Sequence, residues 1–121
     1  MAIEIPDSRP VFVKVADRLA EAIAEGLVAE GERVPSTTEI SSAYQINPAT
    51  VLKGMNLLVD RGLLEKRRGL GMFVTAGAGR SVRERRRREL LNGRFQDLVE
   101  EAKSLDVSRK DLDAIIERVY Q

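Results

Sequence analysis

Apolar positions recur at helical spacing from Val11 through Val15, Leu19, Ala22, Ile23 and Leu27, with Pro10 standing where a first-turn proline loses no hydrogen bond. This predicts an amphipathic helix from about Pro10 to near Gly26, after an irregular arm over residues 1–9 that carries Pro6, Asp7 and Ser8. The stretch VAEGERVPS holds Gly31 and Pro35 and reads as a connector. Ser36 and Glu39 stand at capping-box spacing, so a second helix starts at Ser36; it is short, because only Ile40, Ala43 and Tyr44 offer it an apolar face. Asn47 is a favoured N-cap with Pro48 at the first helical position, and a third helix runs from there to Asp60 or Arg61, stopped by Gly62. Its inward stripe is Val51, Gly54, Met55 and Leu58, which leaves Ala49, Lys53, Asn56 and Asp60 on the opposite face, flanked by Thr50 and Leu52.

After Gly62 the pattern changes. Two short runs, residues 63–67 and 72–75, are joined by RGLG, whose glycines suit a hairpin. Three helices followed by a two-stranded ribbon make a winged helix-turn-helix. AGAG at residues 76–79 reads as a flexible joint. Ser81 and Glu84 repeat the capping-box spacing ahead of a long helix, whose Leu91, Phe95, Leu98, Ala102 and Leu105 are about 3.5 residues apart. LDVS interrupts it, Ser108 with Asp111 caps again, and Leu112, Ile115, Ile116 and Val119 line a last helix. The expected fold is mainly α with a small β-hairpin: a winged helix-turn-helix DNA-binding domain over residues 1–76 and a C-terminal helical hairpin for dimerisation over residues 77–121.

Composition narrows the chemistry. A hydrophobic share of 43% supports a core, and 121 residues leave room for one ordinary domain with a short appendage. The absence of Cys and His removes disulfides, thiolate nucleophiles, imidazole bases and His-based metal sites together. Carboxylate pairs such as Asp17 with Glu21, or Glu100 with Glu101, have helix-surface spacing and no nucleophile beside them. No enzyme activity, cofactor or metal is therefore expected. The N-terminus lacks a signal-peptide pattern and no apolar run approaches the roughly 18 residues of a membrane span, so a cytoplasmic protein without membrane contact is expected.

The formal net charge is only +1, so placement of charge matters more than its total. On the third helix, Ala49 permits close approach, Lys53 reaches a phosphate or guanine, and Asn56 is placed to touch backbone or base. The helix start behind Asn47 and Pro48 favours a phosphate. Lys66, Arg67 and Arg68 precede Gly69 at the hairpin tip, where cations suit a minor groove or backbone, or else protect a sheet edge. RSVRERRRREL is the densest charge run. It reads either as a phosphate-binding helix start beside the wing or as a solvated turn with pairs such as Glu84 to Arg88; arginines at a helix N-terminus oppose the macrodipole. The apolar seam of the tail (Leu91, Phe95, Leu98, Ala102, Leu105, Leu112, Ile115, Ile116 and Val119) is too small a core to stand alone. A second copy covers it with two-fold symmetry, or the tail folds back onto the winged domain.

The stretch PVFVKVADRLAEAIAEGLVAEGERVPSTTEISSAYQINPATVLKGMNLLVDRGLLEKRRGLGMFV resembles the DNA-binding domain of the GntR family of bacterial transcription regulators over more than half the chain. AIAEGLVAEGERVPS and INPATVLKGMNLLVDRGLLEKRRGLGMFV are the signposts. Most members carry a large effector-binding domain; a brief two-helix tail, together with Asn-Pro opening the third helix, resembles the YtrA-type subfamily. The resemblance implies a dimer formed through the tail that represses a membrane-transporter operon, often an ATP-binding cassette system. Position by position it puts Asn47, Ala49, Thr50 and Lys53 near double-stranded DNA, and Arg68 and Gly69 at the minor groove. With their neighbours Ser36, Thr37, Thr38, Pro48, Leu52, Asn56 and Arg67 these form the candidate DNA surface. Thr38 and Leu52 stand where many members have Arg, which removes two cations but offers Leu52 to a thymine methyl.

The resulting expectation is a homodimeric repressor whose two third helices enter successive major grooves about one turn apart on an inverted repeat. The alternative is a winged-helix module that holds a protein partner. A small-molecule effector, if one exists, would bind in the joint around residues 76–80 or between the tail helices.

Overall fold

The computed structural model describes residues 8–121; the irregular arm expected over residues 1–9 falls, through Asp7, outside the described residues. Helix α1 (Val11–Ala24) follows Pro10, whose carbonyl accepts the N–H groups of Val13 and Lys14. It buries Val15, Ala16, Ala20 and Ile23. Because the helix ends at Ala24, Leu27 leaves the stripe that spacing assigned to it and is 73% exposed.

Helix α2 (Thr37–Tyr44) carries the expected capping box, with Glu39 N–H donating to Ser36 Oγ at 3.1 Å and Ser36 N–H donating to Glu39 Oε1 at 3.5 Å. Ser36→Ala leaves the Glu39 amide without its side-chain acceptor and is expected to lower stability by about 1 kcal/mol in denaturant unfolding. Helix α3 (Pro48–Asp60) is capped by Asn47, whose Oδ1 accepts the Ala49 N–H at 2.8 Å. At its other end Gly62, with φ +76, donates to Val59 O while Leu63 donates to Leu58 O, a paired arrangement that satisfies the last carbonyls.

Strands β1 (Leu64–Arg67) and β2 (Gly71–Val74) pair antiparallel in the register Leu64 to Val74 and Arg67 to Gly71. The connector before α2 is more than a loop. Arg33 bridges Phe73, Val34 N–H donates to Met72 O and Val74 N–H to Glu32 O, so residues 32–34 line the outer edge of β2. Val34, at 1% exposure, anchors this edge in a core shared by α1, α2, α3 and the hairpin.

The expected joint at residues 76–79 is shorter than AGAG suggests. Helix α4 spans Ala78–Glu89, and Ala78 and Val82, one turn apart, both join the core. Gly79 is also buried, and a Cβ there would lie 3.2 Å from the Ile23 carbonyl oxygen. Ser81 is consequently inside the helix and not its N-cap. Arg83 Nη1 donates to Ala24 O at 2.8 Å, satisfying a carbonyl at the end of α1. The first compact unit thus ends at Arg83, beyond the boundary expected at residue 76, because α4 begins by completing its core.

The second unit, Glu84–Gln121, holds the end of α4, a π turn (Leu90–Arg94), α5 (Phe95–Ser104) and α6 (Arg109–Val119). The long tail helix therefore contains one wide turn, in which Phe95 N–H donates to Leu90 O, five residues back. Asp106, at φ +59, lies in the turn that follows α5, and Ser108 Oγ caps α6 by accepting the Asp111 N–H at 3.1 Å. No residue of this unit is buried. No helix among the described residues is long and apolar enough to cross a membrane.

Candidate nucleic-acid interface

The turn from α2 to α3 is made by Gln45, which adopts left-handed backbone at φ +54 and donates its N–H to Ser41 O. Ser41 Oγ donates to Ile46 O at 2.5 Å, and Gln45 Nε2 to Ser42 O at 2.9 Å, so the turn is tied from both sides. This reversal swings Ile46 against the core and leaves Tyr44 71% exposed. Of the apolar face expected for α2, only Ile40 is buried; Ala43 and Tyr44 face solvent.

Helix α3 is held against α1 by a close backbone approach at Gly54. A Cβ there would stand 2.6 Å from Phe12 O and 3.1 Å from Val15 Cβ. With Val51, Met55 and Leu58 also buried, the orientation of α3 about its own axis is set by packing. Asn47, Pro48, Ala49, Leu52 and Lys53 are left exposed. Thr50 is half-buried. Asn56 departs from its expected open position: it is half-buried, and its Oδ1 is enclosed without a hydrogen-bond partner. Asn47 is engaged as a cap through its oxygen, so its amide nitrogen is the end that remains to donate.

At the start of α2, Ser36 and Thr37 are half-buried and Thr38 is exposed. Ser36 Oγ is committed to the capping box, which makes Thr38 the freest hydroxyl of the three.

Two cations of the predicted surface rest on aromatic rings. Lys53 Nζ lies 4.2 Å from the centroid of Phe12, and the Arg67 guanidinium lies 4.2 Å from that of Phe73, across the hairpin. At exposed sites such contacts contribute about 0.5–1 kcal/mol, enough to bias where each charge sits without immobilising it. Arg68 and Gly69 form the exposed tip, where Gly69 at φ +76 lets Leu70 N–H return to Arg67 O at 2.9 Å.

Arg33 belongs to this surface and carried no signal strong enough to single it out. Its Nη2 lies 3.5 Å from Glu39 Oε1, and its Cδ covers Gly71, where a Cβ would approach to 3.1 Å. One side chain thus joins the capping box of α2 to the wing. The placement of a basic residue beside buried Val34, between Gly31 and Pro35, was the available hint.

On the tail, Leu91, Phe95, Leu98, Leu105, Ile115, Ile116 and Val119 are all exposed, and Ala102 and Leu112 are half-buried. An open groove is lined by Leu90, Arg94, Phe95, Asp97, Leu98 and Glu101. Leu90 lines it in place of the expected Leu91, because the π turn aligns residues five apart instead of four. Around residues 76–80, the expected effector position is taken up by the buried start of α4.

A short capped helix, a tight turn, a helix with one face held in the core and the other open, and a hairpin with a basic tip define a winged helix-turn-helix DNA-binding domain. The chain belongs to the family of bacterial regulatory proteins of the gntR type, whose pattern matches residues 13–74. It is 23% identical to the HTH-type transcriptional repressor YtrA of Bacillus subtilis over 98% of this chain and 85% of that protein. A transcriptional regulator from Oenococcus oeni has the same fold, with a TM-score of 0.82 and 26% identity, covering 100% of this chain and 99% of the other. AraR(DBD), solved in complex with operator ORR3, shares the fold at a TM-score of 0.57 and 23% identity over 62% of this chain and 90% of that one. Proteins of this family are transcription regulators and not enzymes.

Proposed function

We propose that the protein is a cytoplasmic, homodimeric, sequence-specific repressor that binds an inverted repeat, in the manner of the short-tailed YtrA-type regulators it resembles, and that its target is a transporter-type operon. The observation that carries the DNA-reading part is the exposed row Ala49, Leu52 and Lys53 on a helix whose opposite face is fixed in the core. In this reading Ala49 and Leu52 approach base edges, and Leu52 suits a thymine methyl. Lys53 takes a guanine or phosphate, and Thr50 and the Asn47 amide nitrogen donate nearby. Thr38, with Ser36 and Thr37 beside it, contacts the backbone, as do Pro48 and the helix start. Arg67, Arg68 and Gly69 follow the minor groove, and Asn56, half-enclosed, has the smallest part.

Support for the dimer is the tail, whose large apolar side chains have no cover within a unit that buries no residue. A two-fold partner supplies that cover with the same surface.

Lys53→Ala combined with Arg68→Ala tests the DNA surface. Two lost phosphate-range cations should reduce the slope of log affinity against log salt by about 1–2 and weaken binding about 10- to 100-fold near physiological salt. Titration of a labelled duplex across a salt series reads both. An unchanged slope places the DNA surface elsewhere.

A further inference from the structure

Helix α4 concentrates charge that neither the core nor the α3 and wing surface uses. It holds six arginines (80, 83, 85, 86, 87 and 88) against Glu84 and Glu89, in a chain whose net charge is +1, so the remainder of the chain is acidic on balance. Because α4 starts at Ala78, Arg86, Arg87 and Arg88 occupy its last turn and not its first, and the conflict with the helix dipole expected from the sequence disappears. Repulsion among them remains: Arg83 with Arg87 and Arg85 with Arg88 are like charges at spacings that cost about 0.2–0.5 kcal/mol per pair.

Partners within the chain account for part of the run. Arg83 donates to Ala24 O, and Arg85 Nε is 2.9 Å from Glu89 Oε1. Among the described residues, Arg86, Arg87 and Arg88 make no hydrogen bond or ion pair, and the expected Glu84 to Arg88 pair is absent. All three are exposed.

We infer that Arg86, Arg87 and Arg88 form a second phosphate-binding element for duplex DNA, distinct from the α3 and wing surface and indifferent to sequence. Guanidinium groups bind phosphate oxygens in bidentate fashion, and they do so without reference to the bases. Successive side chains leave a helix about 100° apart, so these three fan across about 200° of its circumference. A groove bounded by two phosphate strands receives such a fan, whereas a flat anionic lipid surface meets only part of it. The element supplies non-specific affinity through counterion release, while the bases are read elsewhere.

This inference rests on the DNA-binding reading, and the experiment separates the two. The full-length chain carrying R86Q, R87Q and R88Q is titrated with its selected duplex and with a random duplex over a salt series, beside the wild type. The expected result is a slope reduced by about 2–3, at about 0.9 per lost contact, with affinity for both duplexes lowered by the same factor and their ratio preserved. The single variant R87Q, expected to lower the slope by about 0.9, serves if circular dichroism shows the triple variant misfolded. Wild-type slope and affinity in a folded variant overturn this inference alone. A variant that keeps DNA binding but loses binding to phosphatidylserine vesicles overturns it in favour of a membrane surface. A wild type that binds neither duplex removes the DNA reading and this inference with it.

Discussion

Leu98→Asp combined with Ile116→Asp is expected to yield a folded monomer whose affinity for the operator is at least about 100-fold below that of the wild type. Both side chains are exposed on the tail, Leu98 at 60% and Ile116 at 49%, and in the proposed dimer both are covered by the second copy. A carboxylate enclosed in such a seam without a partner costs several kcal/mol in practice, about as much as the seam can contribute. In the monomer the same carboxylates are solvated, so the winged domain, whose core lies within residues 15–82, keeps its stability. The loss in DNA affinity comes from uncoupling the two heads, since linking two binding modules raises affinity about 10²- to 10⁴-fold over either alone. Analytical ultracentrifugation and operator titration check the two halves of this result. A dimer that survives both substitutions means that a different surface joins the protomers.

The second large effect lies in the core. Gly54→Val is expected to destabilise the winged domain by about 3 kcal/mol or more, read from denaturant unfolding. The added Cβ meets a backbone carbonyl, Phe12 O, at 2.6 Å, which cannot yield as a flexible side-chain end would, and the two Val15 atoms at 3.1 Å close the other side. Overpacking of this kind costs about 1–3 kcal/mol for extra methylenes and more where backbone must move. The gain from replacing a helical glycine, under about 1 kcal/mol, does not offset it. Because α3 would be displaced from α1 before it unfolds, DNA affinity should fall at denaturant-free conditions as well. Stability unchanged by the valine would mean that α1 and α3 do not approach as closely as described.

These contacts also show which parts of the fold were legible in the sequence. Local signals carried through: the Ser36 and Glu39 capping box, the Asn47 cap with Pro48 behind it, the Gly62 stop and the Val51, Gly54, Met55 and Leu58 stripe are each fixed by neighbours within one or two turns. The remaining features depend on partners far along the chain. Val34 becomes an edge of the hairpin only because Met72 and Val74 supply backbone partners, and Ala78 enters a helix because the core of α1 receives it, against the preference of the glycines on either side. Tyr44 and Ile46 exchange roles through one left-handed residue, Gln45, which no period in the sequence reveals. The π turn is hidden for a related reason: Leu90 and Leu91 both fit an apolar pattern, and only the backbone decides which of them aligns with Phe95.

For the candidate site, the type and spacing of residues on α3 and the wing were readable, but their engagements were not. Asn47 gives its oxygen to a cap, Lys53 and Arg67 rest on rings, Asn56 is half-enclosed, and Arg33 joins the wing to α2. Each arises from three-dimensional neighbours, Phe12 and Phe73 above all, that lie on other elements.

Selection of bound duplexes from a random DNA pool at near-physiological salt, with the mass of the free and bound protein recorded in the same buffer, tests the central claim most directly. The account predicts enrichment of an inverted repeat whose half-sites are about one helical turn apart, bound by a dimer. A folded, dimeric sample that enriches no sequence would contradict it and leave a winged-helix module that serves a protein partner.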